Sequence, residues 1–366
     1  MRLRTLIEEA PMSLASLTVL TTDTFETVPV FKHLTSASRA LAELKGLAAS
    51  MPNEAILITT LAMQEAKDSS AIENIVTTHD DLFKDDAFPD IGNPAAKEVR
   101  HYLRALDVGA ARLRKTGLIT TNDIIEIQTE LERNRAGLRK LPGTSLKDGF
   151  GETVYTPPQD PDEVLALMRD LEAFINDSGH FDADPLVKMA IIHHQFESIH
   201  PFYDGNGRTG RIVNVLYLMQ QGLLDVPVLY LSRHIVRNKA EYYRLLQAVR
   251  DTGEWEAWVC FMLRAVEHTA RHTMETVTLI RNAVTDAKHR IRTGYKFYSQ
   301  DLINSLFRHP YTKIEFIEND LKVSRLTATK YLDALCAGGF LEKHKLGRSN
   351  YYVNLDLNRI LTRDEG

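Results

Sequence analysis

Apolar residues recur at spacings of three and four along most of the chain. The segments Leu41–Met63, Ala95–Lys115, Asn122–Leu131, Pro161–Asn176, Pro185–Ser198 and Arg211–Gln221 all show it, which is the period of a helix with one face in a core. A long helix is expected from Glu254 to Arg290, with breaks at Asp90–Pro94 and Arg292–Lys296. Strand signals are scarce. Between Leu138 and Pro158, Gly143, Gly149 and Gly151 punctuate a β-like run, Thr153–Thr156, closed by Pro157 and Pro158. Such punctuation reads as a hairpin or flap.

The last seventy or so residues change character. Gln300–His309 and Lys313–Asn319 read as short helices, Val323-Ser324 as a turn, and Leu326–Ala337 as an amphipathic helix with Leu332 and Leu335 inward. Gly338-Gly339 ends it, and Phe340–Lys345, Gly347 and Tyr351–Val353 read as strand, turn, strand. That order is the layout of a winged helix. The expected architecture is mainly α: an N-terminal helical region over 1–92, a helical core with a β-hairpin flap over 93–290, and a winged-helix domain over 291–366. A chain of 366 residues has room for two or three domains.

Composition narrows the class. Apolar residues at 44% and charged residues at 25% exclude a disordered or collagen-like chain. The formal charge of −5 argues against a general polyanion binder. Cys260 and Cys336 lie far apart in apolar sequence and read as buried, reduced thiols of a cytosolic protein. Arg2 and Arg4 resemble a secretory leader, but Glu8, Glu9 and Pro11 interrupt it, and no run approaches the roughly 18 apolar residues that span a bilayer. A cytoplasmic protein without membrane contact is expected.

One segment stands apart: His200-Pro201-Phe202-Tyr203-Asp204-Gly205-Asn206-Gly207-Arg208-Thr209-Gly210-Arg211. Gly205 and Gly207 let backbone N–H groups approach an anion closely. The helical run from Arg208 onward makes the loop a helix N-terminus, which favours phosphate. Arg208 and Arg211, three apart, project from neighbouring positions and suit a polyphosphate. Asp204 is a hard oxygen ligand suited to Mg²⁺, and His200 can take a proton near neutral pH. Together they point to nucleotide-dependent group transfer. The segment is not a P-loop, for no lysine and serine or threonine follow the glycines.

The segment resembles the signature of the Fic family, HPFx(D/E)GNGRxxR, at every fixed position. The resemblance implies a helical Fic fold and transfer of AMP from ATP to a Ser, Thr or Tyr hydroxyl of a protein. It implies that His200 deprotonates the acceptor, that Asp204 holds Mg²⁺, and that Asn206 with Gly205 and Gly207 cradles the α- and β-phosphates. Arg208 would take the β-phosphate and Arg211 the γ-phosphate. The related Doc kinases carry a lysine where Gly207 stands, so glycine favours nucleotidyl over phosphoryl transfer. The stretch 138–158 resembles the Fic flap, which holds a target protein by strand addition. Asn238–Tyr243 resembles the family's adenine-side helix, with Tyr242 and Tyr243 as candidates to line the base or as core aromatics.

Upstream, Ser69-Ser70-Ala71-Ile72-Glu73-Asn74 resembles the inhibitory motif (S/T)xxxE(G/N) of many Fic proteins, placed in an N-terminal helix. Ser69 and Glu73 share a helix face. The resemblance implies that Glu73 pairs with Arg211, occupies the γ-phosphate position and leaves ATP unproductive until a population shift, such as a change of homodimer, relieves it. Glu73 could instead orient a water that removes AMP from a target.

Two features admit plainer readings. Adjacent His193 and His194 face different ways on a helix and suit packing better than zinc. Between Lys322 and Arg348 six basic residues face two acidic ones, enough to suggest DNA binding by the winged helix, yet over 301–366 the balance is ten to nine. A protein-contact module fits as well. The expected partners are a target protein at the flap, the chain itself through auto-modification, a second copy, and DNA. The rival functions are de-adenylylation, phosphoryl transfer, and a DNA-binding regulator with a nucleotide-sensing core.

Overall fold

A computed structural model describes residues 14–51, 54–78, 82, 94–147, 149–177, 179, 181–346 and 349–363. The readings at Met1–Ala10, at the 92/93 boundary with its loop 90–93, and at Gly347 and Arg348 lie outside the described residues.

Helix α1 spans Val28–Ala49 and α2 spans Glu54–Ile72. The single helix expected over Leu41–Met63 is therefore two, and Pro52 in the intervening sequence explains the stop, since a proline ring disfavours helical backbone before it. Helices α3 (Pro94–Thr116) and α4 (Thr121–Glu132) form an antiparallel pair. The start of α4 is set by a capping box: Thr120 Oγ1 accepts from Asp123 N, and the Asp123 carboxylate accepts from Thr120 N. The flap follows, with β1 (Leu146–Lys147) antiparallel to β2 (Thr153–Tyr155) and Leu146 opposite Tyr155.

Next come α5 (Pro161–Asn176) and α6 (Pro185–Ile199), each capped by an aspartate, Asp160 or Asp184, with a proline in its first turn. This pairing of cap and proline is favourable because the first N–H groups have no helical partner. Every residue of α6 from Leu186 to Ile199 is buried, the polar His193, His194, Gln195 and Glu197 included, so the helix runs through the middle of the molecule. Helix α7 (Asn206–Gln220) packs beside it, followed by α8 (Ser232–Arg237), α9 (Lys239–Thr252) and α10 (Trp255–Gly294). At 40 residues α10 is about 60 Å long, and α1 lies along it.

The remainder is α11 (Gln300–Arg308), β3 (Tyr311–Thr312), α12 (Ile314–Leu321), α13 (Arg325–Ala337), β4 (Leu341–Leu346), β5 (Ser349–Asn354) and α14 (Leu355–Thr362). The sheet order is β3-β5-β4, with Tyr311 opposite Val353 and Leu341 opposite Asn354. The winged-helix order expected from sequence is present, with Leu332 and Leu335 buried. Strand β3 and helix α14 are additions: two residues and eight are too short for periodicity to single out. This region rests on the core, α11 against α2 and α14 against α10, and Gln64 Nε2 of α2 donates to Leu361 O at 3.2 Å. Cys260 is buried and Cys336, in the last turn of α13, only half-buried, both free; the expectation of two buried thiols holds for the first alone. No helix among the described residues is long and apolar enough to cross a membrane.

Candidate functional site

Helix α6 ends on His200, which takes a left-handed backbone (φ 49°, ψ 59°) while its N–H still bonds to Phe196 O. A non-glycine residue rarely adopts this conformation, so neighbours must hold it. The chain then turns through Pro201 and the buried Phe202. Asn206 closes the turn, its Oδ1 accepting from Phe202 N and its Nδ2 donating to Phe202 O, both at 2.9 Å. The Asn206 side chain, expected to face a phosphate, is thus consumed in shaping the loop: a tight turn of five residues has no other group to satisfy the Phe202 backbone. Gly205, at φ 78°, supplies the left-handed residue that starts α7.

Both loop glycines stand under a carboxylate. A Cβ at Gly207 would collide with Glu73 Oε1, and one at Gly205 with Glu132 Oε1. The absence of side chains at these two positions thus lets carboxylates lie close against the loop's backbone. Arg211 is 2% exposed; its Nη2 lies 3.0 Å from Glu73 Oε1 and 2.9 Å from Ser69 O, and its Nε donates to Ser69 Oγ at 2.8 Å. Ser69 and Glu73, one turn apart on α2 and just past its end, thus meet the arginine that sequence assigned to them. Asn74, with φ 63°, ends that turn, and its Oδ1 accepts from Lys239 Nζ at 3.0 Å.

Arg208 is less open than expected. Its Nη1 bonds Glu98 Oε2 at 2.8 Å and its Nη2 bonds Glu132 Oε1 at 2.7 Å. These carboxylates sit 110 and 76 residues upstream on α3 and α4, and no local pattern marks them. The only general signal was that an arginine on a buried helix face needs counter-charge. Burial raises the pKa of Glu132 against the pull of Arg208. Asp204 is exposed at the loop's rim, with Oδ1 accepting from Gly205 N at 2.7 Å. An exposed carboxylate beside an anion cradle fits a Mg²⁺ ion.

Burial, then the cations Arg250 and Arg139, lower the His200 pKa to about 4, so the imidazole is neutral at pH 7. Sequence reading missed both arginines and the buried Glu197, whose carboxyl burial pushes up to about 7. The flap's base is tied down by Tyr203, whose hydroxyl accepts from Lys140 N and Leu141 N, and by Gln159, which bonds Gly143 N and Thr144 O. Its tip carries Phe150, 94% exposed.

The structure divides the tyrosine pair. Tyr242 is fully buried, its hydroxyl 2.9 Å from His193 Nε2 and its ring against Trp258 and Phe261; it is a core aromatic. Tyr243 is 45% exposed, and burial followed by the Glu73 carboxylate raises the pKa of its hydroxyl against the opposing pull of Arg211. His193 also bonds Asn214 and stacks on Trp258, while His194 packs against Trp255 and Trp258. Both histidines serve helix packing.

Comparison with known proteins gives three consecutive matches. Residues 31–111 match the Fic/DOC family N-terminal domain, residues 118–218 the Fic/DOC family, and residues 283–357 the C-terminal domain described as protein adenylyltransferase SoFic-like. Among curated relatives, the chain is 29% identical over 176 residues to protein adenylyltransferase fic-1 of Caenorhabditis elegans, covering 47% of this chain and 33% of that one. It is 30% identical over 155 residues to protein adenylyltransferase Fic of Aedes aegypti, covering 42% and 30%. The chain thus spans about a third of the length of the curated relatives it matches. Among solved structures, a Fic family protein from Desulfovibrio desulfuricans G20 superposes with a TM-score of 0.58 at 22% identity over 90% of this chain and 96% of that one. A Fic domain containing signaling protein from Bacteroides thetaiotaomicron VPI-5482 superposes at 0.54 and 17% identity, over 67% and 97%. These likenesses carry the fold. With a cradle built from His200–Arg211 and matches along its length, the chain belongs to the Fic/DOC family.

Proposed function

We propose that the protein is an adenylyltransferase that moves AMP from ATP to a hydroxyl of a target protein and of itself. The observation that carries this reading is a neutral imidazole at the end of α6 beside an anion cradle at the start of α7. The target's hydroxyl oxygen attacks the α-phosphorus, His200 takes the hydroxyl proton, and the bond to the β-phosphate oxygen breaks, releasing pyrophosphate. Gly205 and Gly207 let the loop's main chain approach the phosphates, Arg208 and Arg211 bind them, and Tyr243 borders the base. Asn206 acts by closing the loop. Asp204 is the residue that would hold Mg²⁺, which supplies charge neutralisation on the phosphates when bound. The flap strand β2 receives the target's backbone as an added strand.

In the same reading Glu73 is a brake, because its carboxylate bonds Arg211 and lies over Gly207. One-sided removal of a fully buried ion pair costs about 3–5 kcal/mol; here the cost is lower, as Glu73 is 35% exposed. Relief comes through a shift of α2, and a second copy of the chain is one agent for it. The chain works as three units, 1–92, 93–290 and 291–366. Two free thiols support a reducing, cytoplasmic setting. For the winged helix, protein contact is favoured over DNA: Lys343 is paired with Asp333, and Arg325 lies near Glu318 and Glu315.

The test is incubation of the Glu73→Gly chain with ATP followed by mass spectrometry. A gain of about 329 Da, as a nucleotidyl transfer requires, lost on adding His200→Ala, supports the proposal. A gain of phosphate alone refutes it in favour of phosphoryl transfer.

A further inference from the structure

The last turn of α6 ends in carbonyls that a helix leaves without partners. Here each is bonded by a side chain from outside the signature segment. Arg250 Nη2 of α9 donates to Glu197 O at 3.2 Å, and its Nε donates to Ser198 Oγ at 3.0 Å. The Tyr155 hydroxyl of β2 donates to Ser198 O at 2.9 Å. Arg139, 2% exposed at the start of the flap segment, donates from Nη2 to Ile199 O at 3.2 Å and from Nε to His200 O at 2.8 Å, while its own amide donates to Pro201 O at 2.9 Å.

The same three residues hold the flap. Arg139 Nη2 also bonds Pro158 O, which closes the far side of the hairpin, and the Arg250 guanidinium lies 3.9 Å from the Tyr155 ring centroid. Cation–π contact of an arginine with an aromatic face is attractive and directional. The two ends of the flap and the left-handed His200 therefore share one set of bonds.

We propose that Arg139, Arg250 and Tyr155 are positioning residues that lock the flap's base to the end of α6, so that a target strand on the flap and the His200 imidazole keep a fixed register. This rests on the reading of His200 as the base and of the flap as the target strand's dock. Cations at a helix C-terminus are favoured by its dipole. They also stand near the imidazole: after burial, Arg250 and Arg139 are the next causes of its low pKa, opposed by the Glu197 carbonyl and the Glu73 carboxylate.

The experiment uses the full chain carrying Glu73→Gly, with Arg250→Gln, Arg250→Lys or Tyr155→Phe added. Auto-modification is measured against ATP concentration, and the His200 titration is followed by NMR of histidine-labelled protein, assigned with His200→Ala. Arg250→Gln is expected to lower kcat about tenfold with the KM for ATP within about twofold, a misplacement effect, and to raise the His200 pKa by about one unit. Arg250→Lys restores the titration without restoring kcat, since an ammonium cannot reproduce the fork. Tyr155→Phe lowers kcat and leaves the titration alone. An unchanged kcat in both Arg250→Gln and Tyr155→Phe, or a KM for ATP that rises in step with the loss, overturns the lock. If the Glu73→Gly parent itself takes up no AMP, the adenylyltransferase reading fails separately, and a His200 pKa unmoved by Arg250→Gln then overturns the lock by itself.

Discussion

Glu73 Oε1 lies 3.0 Å from Arg211 Nη2 and directly over Gly207, so a single carboxylate bonds the arginine and covers the loop's backbone at that glycine. A triphosphate that used Arg211 would have to displace it. Glu73→Gly is therefore expected to raise auto-incorporation of label from ATP by at least about tenfold, the equivalent of 1.4 kcal/mol. His200→Ala in that background should abolish it. Equal labelling of the wild-type chain and Glu73→Gly would sink the brake.

Arg208 carries two carboxylates of its own, Glu98 and Glu132, and Glu132 covers Gly205. Phosphate binding there competes with Glu132. In the Glu73→Gly chain, Glu132→Gln should tighten ATP about three- to tenfold by calorimetry, because one negative charge beside the phosphates is removed. Weaker binding would mean that Glu132 serves to aim Arg208 at the nucleotide.

The His200 pKa of about 4 has a direct kinetic consequence. A base works in its unprotonated form, so the acid limb of the rate profile should lie well below the ordinary histidine value of about 6.5. Single-turnover labelling by the Glu73→Gly chain should change little between pH 8 and pH 5.5. A rate that halves near pH 6.5 would contradict the burial of the ring.

Glu65 lies one turn before Ser69 on α2, fully buried, accepting from the Tyr102 and Ser232 hydroxyls and from Ser232 N. Burial pushes its pKa from 4.5 to about 7. Between those values the folded chain binds a proton that the unfolded chain does not, so its contribution to stability is greatest below about pH 4.5 and is lost as the pH rises through about 7. Glu65→Gln, neutral throughout, should therefore gain melting temperature relative to wild type between pH 5 and pH 8. A difference that stays constant over that range would show that Glu65 is ionised throughout.

Much of the fold was legible because helices announce themselves locally. The apolar spacing of Pro185–Ser198 and Pro161–Asn176 matches α6 and α5 closely, and the long helix expected over Glu254–Arg290 is α10 with one more turn. The flap shrank to two residues against three, since glycines signal where a chain turns and not how many residues pair. Tyr242 and Tyr243 were indistinguishable in sequence; adjacent residues on a helix point about 100° apart, and only the position of Trp258 decides which of them faces the core.

By itself the sequence determined what depends on near neighbours: the helical period, the glycines and arginines of His200–Arg211, and the one-turn spacing of Ser69 and Glu73. Only the tertiary structure decided what those groups touch. It set Glu98 and Glu132 on Arg208, turned Asn206 inward to Phe202, and brought Arg139, Tyr155 and Arg250 to the end of α6. The reason is physical. Spacing encodes which side chains share a face, but a buried charge takes whichever partner the packing of distant helices delivers, and no short-range pattern records that partner.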